Sequence, residues 1–226
     1  MRPMLVLTII GALAGPAAPC TFGQNAYYIV VSNRISEVQP SATIELWAGF
    51  DADLYAFAGS ALDFHASPDS GGFSDPHRIL DSPGTKDGDV APDGDAVTGI
   101  ISGQIHCPIE CWPDRDNPIL VWRVTWSTAD FTLRTVELFT ETAKFDVYLD
   151  QQGNSRSYLD ELVEGSAQIG IGCYADCDES GALDLFDYLC FIGQFNMGAK
   201  GGDCDGSGGL DLFDFLCFVN AFNAGC

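Results

Sequence analysis

Asp176-Cys177-Asp178-Glu179-Ser180-Gly181-Ala182-Leu183-Asp184-Leu185-Phe186-Asp187 is answered later in the chain by Asp203-Cys204-Asp205-Gly206-Ser207-Gly208-Gly209-Leu210-Asp211-Leu212-Phe213-Asp214. The copies start 27 residues apart, and residues 176–198 match residues 203–225 at 16 of 23 positions. Each copy places oxygen-bearing side chains first, third, fifth, ninth and twelfth, with glycine sixth. A hard cation the size of calcium takes roughly six to eight oxygens, so the backbone must curl around a point. The sixth residue then adopts a turn that a side chain would oppose, which is the place of Gly181 and Gly208. Leu183 and Leu210, at the eighth position, can pair the two loops back to back. A merely solvated acidic surface has no reason to keep glycine and leucine in register with the acids.

The pattern is that of an EF-hand calcium loop with one departure: the twelfth residue is Asp187 or Asp214, shorter than the Glu of calcium sensors. Two loop-plus-helix copies with no entering helix, and Asp at the twelfth position, resemble a dockerin module. The run Ala-Asp-Cys-Asp-x-Ser-Gly-x-Leu-Asp-Leu-Phe-Asp-Tyr/Phe-Leu-Cys-Phe, closed by Gly225-Cys226, resembles the cysteine-containing GC-type dockerins more narrowly. The resemblance covers about residues 173–226. It implies two bound Ca2+ ions and docking of a secreted protein onto a cohesin-type or cell-surface partner. Carried over by position, the ligands are Asp176, Asp178, Ser180, Asp184 and Asp187, then Asp203, Asp205, Ser207, Asp211 and Asp214, with the backbone carbonyls of Ala182 and Gly209. In the dockerins best known as cohesin binders, the tenth and eleventh positions carry small hydroxyl residues. Here they are Leu185-Phe186 and Leu212-Phe213.

After each loop the apolar spacing predicts a helix, over 185–195 and 212–222, running toward Gly198 or Gly225 as a C-terminal stop. The apolar residues cover more than one stripe. Most of them, Phe191 and Phe218 included, are expected to form a small core between the copies, and the surplus is available to a partner.

The whole chain carries 32 acidic and 10 basic residues, a formal charge of −22, which excludes nucleic acid as a natural partner. Residues 173–226 hold nine acids and one lysine, so metal would relieve self-repulsion there. At the other end, Met1-Arg2-Pro3 and the apolar run over 4–14 read as a signal peptide, residues 1–20, with cleavage anywhere between 14 and 26. That run is too short to span a bilayer, and no later stretch does so. The expectation is an extracellular or cell-surface protein without a membrane span. If Cys20 leaves with the leader, eight cysteines remain, the even number that an oxidising compartment favours. Cys173 and Cys226 bracket the repeat and are expected to pair. Cys177, Cys190, Cys204 and Cys217 pair among themselves, within or between repeats, and Cys107 with Cys111 closes a loop.

Residues 27–172 read as strands. Segments 27–31 and 43–50 are rich in aromatic and β-branched residues and are interrupted by Ser32-Asn33 and Gln39-Pro40-Ser41. In 119–126, Leu120, Trp122, Val124 and Trp126 alternate onto one expected inward face. Segments 135–142, 145–149 and 168–171 continue the series, a short helix is possible over 157–163, and 67–95 reads as surface loop. The fold class expected is mainly β: an antiparallel β-sandwich over 27–172, then a small helical dockerin-like module over 173–226. The stretch around Val38-Gln39-Pro40-Ser41 and Trp47 also resembles the opening strands of cohesin-like secreted sandwiches.

Three histidines, His65, His77 and His106, and no nucleophile elbow, P-loop or zinc-hydrolase motif give no catalytic residue. The reading favoured is a non-catalytic secreted sandwich displayed through its calcium module, with polysaccharide a possible ligand of 27–172. The alternatives are a small O-glycosyl hydrolase and a structural surface protein with a calcium-stabilised tail.

Overall fold

The computed structural model describes residues 24–106 and 112–225. Strands β1 (Ala26–Val31), β2 (Ser41–Gly49), β3 (Ala56–Ala66), β4 (Gly72–Arg78), β5 (Asp89–Val90), β6 (Ala96–Gly103), β7 (Ile119–Ser127), β8 (Arg134–Tyr148), β9 (Ser155–Ser157) and β10 (Ser166–Ile171) are followed by helices α1 (Leu185–Met197) and α2 (Leu212–Ala224). The strands form two antiparallel sheets, one in the order β1-β2-β7-β4, the other β10-β8-β3-β6-β5 with β9 added beside β8. Mainly β with two C-terminal helices is the class the sequence implies.

The inner faces of the sheets close on Trp122, Trp126, Phe50, Phe57, Phe64 and Phe145, all buried. Phe64 lies against Trp122 at 5.2 Å and edge-on to Phe73 at 5.6 Å, and Tyr27 stands edge-on to Phe145 at 5.4 Å. The Trp122 indole N–H donates to the Asp87 carbonyl at 2.9 Å, so this ring buries its area without stranding its donor.

Several local expectations need correction. The register of β7 against β2 shifts between Leu46 and Trp47, which face Trp122 and Leu120, leaving Val121 as an extra residue. The bulge changes the phase of the alternation. Val121 and Ile119 are therefore buried with Trp122, Val124 and Trp126, while Leu120 is only half-buried. Segments 135–142 and 145–149 are one continuous strand, β8, because its irregularities against β3 are absorbed as register shifts rather than a turn. The presumed surface loop over 67–95 contains β4 and β5. Phe73 of β4 is buried, and the strand survives its Pro76 by shifting register against β7 between Ser74 and His77, at the sheet edge where proline is tolerated. The helix expected over 157–163 is a single 3-10 turn, Leu159–Glu161.

The leader segment, the Cys107–Cys111 loop and Cys226 lie outside the described residues. Among the described residues no helix is long and apolar enough to cross a membrane.

Candidate metal centre

From Ile171 the chain passes through Gly172, Cys173, Tyr174 and Ala175 into the first loop. Glu179 and Gly181 take the left-handed conformation (φ 60° and 79°), and Gly206 and Gly208 do the same in the second loop (70° and 82°). These turns are what the glycines supply: at Gly181 and Gly208 a side chain would strain the backbone although nothing nearby would obstruct it.

Each loop turns its backbone amides inward. In the first, Asp176 accepts from Gly181 N–H at 3.0 Å and Asp178 from Ser180 N–H at 3.0 Å. Asp187 accepts from Asp178 N–H at 3.2 Å and from Asp184 N–H at 2.9 Å. The second loop repeats this: Asp203 accepts from Gly208 N–H at 2.9 Å, Asp205 from Ser207 N–H at 3.0 Å, and Asp214 from Asp205 and Asp211 N–H at 3.2 and 2.8 Å. Ser180 donates to the Ala182 carbonyl and Ser207 to the Gly209 carbonyl, each at 3.2 Å. The fifth and seventh positions of each loop are thus in contact.

Asp176, Asp178 and Asp187 bring one oxygen each within 4.8 Å of one another, as do Asp203, Asp205 and Asp214. Asp187 and Asp214 are fully buried. Burial pushes the Asp214 carboxyl up, but the amides of Asp211, Asp205 and Cys204 outweigh it and hold the group below the usual carboxylate range. The group is therefore an anion in the fold. Asp176 is buried as well, and its Oδ1, like Asp203 Oδ1, has no hydrogen-bond partner. A buried carboxylate oxygen without a donor is costly, and three crowded carboxylates compound that cost. A hard cation at each cluster answers both problems with the donor chemistry it prefers. The two clusters therefore fit metal ions.

Asp184 and Asp211 stand apart from these clusters. Each caps its helix, accepting from Phe186 or Phe213 N–H at 2.7 Å in a capping box completed by Asp187 or Asp214. The ninth position of such loops commonly meets its ion through water.

Helices α1 and α2 are longer than the sequence implied by about two residues at the C-terminal end, and α1 stops at Gly198 in the left-handed conformation. They pack through Phe191 and Phe218, stacked with centroids 4.2 Å apart and planes 5° from parallel. Tyr188 and Phe215 close the sides. Disulfides Cys177–Cys190 and Cys204–Cys217 each tie the second loop residue to its own helix, with Cα atoms 5.8 Å apart. Pairing is within each repeat.

What the sequence did not disclose is the support under the loops. Arg34 Nη1 donates to the Asp176 carbonyl and Gln39 Nε2 to the Asp203 carbonyl, each at 3.2 Å. Glu37 accepts from Tyr174 N–H with both oxygens, at 3.2 and 3.0 Å. Tyr174 in turn donates its hydroxyl to the Gly201 carbonyl at 2.7 Å. Burial, with the Asp214 and Asp203 charges, pushes that phenol well above its ordinary value, so it remains a donor.

Of the histidines, His65 stacks on Phe139 with ring centroids 5.0 Å apart, and His106 has its Nε2 2.7 Å from the Gln151 carbonyl.

No family model matches the chain. No curated protein matches it either. Among solved structures it is similar to a cohesin module from a Clostridium perfringens family 33 glycoside hydrolase, with 14% identity, TM-score 0.46, and 66% of this chain and 98% of that one covered. It is also similar to the seventh ScaB type I cohesin from Pseudobacteroides cellulosolvens (9% identity, TM-score 0.42, 63% and 91% covered). A third likeness is to a chain in a type I cohesin–dockerin complex from Clostridium thermocellum (14%, 0.42, 64% and 99%).

Proposed function

We propose that residues 173–226 form a calcium-binding docking module of the dockerin type, and that they join an exported, non-catalytic β-sandwich to a cohesin-type partner. The observation that carries the metal half is the buried, unpartnered Oδ1 of Asp176, a member of a cluster of three converging carboxylates, repeated with Asp203 in the second loop. Calcium is the ion of choice because every donor is an oxygen and the loops curl rather than enclose. Asp176, Asp178, Ser180, Asp187 and the Ala182 carbonyl, with Asp184 through water, would hold one ion. Asp203, Asp205, Ser207, Asp214 and the Gly209 carbonyl, with Asp211, would hold the other. The docking half is supported by duplicated apolar side chains left in solvent: Leu185, Phe186 and Leu189 on one copy, Leu212, Phe213 and Leu216 on the other, between 46% and 67% exposed. Apolar surface of this kind on so small a unit marks an interaction site.

Calorimetric titration of the full chain with calcium tests the reading. Two ions per chain are expected, and Asp187→Ala with Asp214→Ala should abolish both binding and the calcium-dependent rise in Tm. A chain that takes up no calcium overturns the metal half. Failure of a calcium-loaded chain to bind any of a panel of cohesin modules, with or without chelator, overturns the docking half.

A further inference from the structure

The segment between β1 and β2, residues 32–40, is built as a rigid bracket. Ser36 and Gln39 exchange backbone hydrogen bonds in a tight turn at 3.0 and 3.1 Å, and Ser36 is buried. Ile35, also buried, donates its N–H to Gly170 O at 2.9 Å and accepts from Gly172 N–H at 3.0 Å, so the bracket is bridged to the end of β10. From this bracket two side chains reach equivalent atoms of the two loops: the carbonyl oxygen of the first residue, Asp176 for Arg34 and Asp203 for Gln39. Both first residues are themselves approached by matching turns, Asp176 N–H to Cys173 O at 3.2 Å and Asp203 N–H to Lys200 O at 3.1 Å. The peptide that each side chain grips leads out of the residue whose Oδ1 is buried without a partner.

We infer that Arg34 and Gln39 are positioning residues for the metal sites, and that seating of the loops on the sandwich and metal loading favour one another. The inference rests on the calcium reading above. The peptide plane at the first loop position sets where the Asp176 or Asp203 carboxylate starts, so fixing that carbonyl removes freedom that ion binding would otherwise have to freeze. Linkage then runs in both directions: a bracket that raises calcium affinity is itself held more firmly when calcium is bound. Arg34 also pairs with Glu179 at 3.3 Å, so its removal mixes loss of support with a change of charge near the ion. Gln39 is neutral and gives the cleaner test.

The experiment uses the full chain. Gln39→Met keeps the side chain's length and removes its donor. Calcium affinity at one of the two sites should fall by about 2- to 10-fold, the weight of one hydrogen bond, while the other site stays within about twofold. In the unaltered chain, stripping calcium with chelator should speed amide hydrogen exchange in residues 34–39 and 172–175, with β6 and β7 unchanged. A generally softened structure would instead weaken both sites and exchange everywhere. Two ions bound, with unchanged affinities in Gln39→Met and no exchange response in residues 34–39, overturns this inference alone. No calcium uptake by the unaltered chain overturns the calcium reading and this inference with it.

Discussion

Single residues show which charges are paired within the fold and which are gathered into acidic clusters. In the sandwich, Arg34's counterpart is Arg134, which holds Asp69 through two bonds of 2.7 Å and also donates to the Asp130 and Thr132 carbonyls at 2.7 and 2.9 Å. The hydrogen bonds from Arg134 hold the Asp69 carboxyl below its ordinary value against the opposing effect of burial. Because the folded value is the lower one, the stabilisation is fully present above the unfolded carboxylate value of about 4. It is lost as pH falls through the folded value. Asp69→Asn should cost about 2 kcal/mol at neutral pH, the range of a charge-assisted bond. In thermal melts from pH 7 to pH 2, the gap between variant and parent should shrink below about pH 4; a gap constant across that range defeats the assignment. The loop acids behave differently. That Asp176, Asp178 and Asp187, and Asp203, Asp205 and Asp214, come together was legible in the sequence because the two copies keep these acids at identical offsets around a glycine turn. The double duty of Asp187 and Asp214, closing a capping box from within the cluster, was hidden, since it depends on the entry angle of the helix.

At the scale of elements, the duplicated helices meet through a stacked ring pair flanked by Tyr188 and Phe215. Phe191 and Phe218 are both fully buried and stacked on one another, so Phe218→Ala should cost about 3 to 5 kcal/mol of the unit's stability. Calcium-dependent ellipticity near 222 nm should then melt well before the sandwich signal; coincident melting with parent-like Tm would refute this. The helices were legible because both periodicity and glycine stops are local. The bulge in β7 was not, because a register shift is decided by the partner strand. It makes a sharp test: Val121→Lys should prevent folding by burying an unpaired charge, whereas Leu120→Lys should cost about 1 kcal/mol or less. Equal tolerance at the two positions, read from soluble yield and Tm, would mean that the alternation runs unbroken. Strand β4 was hidden for a related reason: Gly71, Gly72 and Pro76 are loop formers locally, and only the Trp126 side of the sheet shows that Phe73 has a place to go.

Across the whole molecule, the charge excess and the succession of strands by two C-terminal helices were legible in the sequence, but the contact between the strands' connections and the acidic loops was not. Arg34, Glu37 and Gln39 lie 137 to 164 residues from the atoms they hold, and no local pattern announces such pairs. That contact joins with the placement of β10 to give the molecule a direction. Strand β10 lies at the edge of its sheet, laddered to β8 from Ser166 to Ile171, and its far side is bridged at Ile171 by Ile35. The acidic loops begin a few residues beyond its end with no spacer. A pull applied to the helical part along β10 therefore loads the ladder bonds in parallel, so that they must yield together, rather than peeling them one at a time. The junction between β10 and the first acidic loop is therefore built to resist shear.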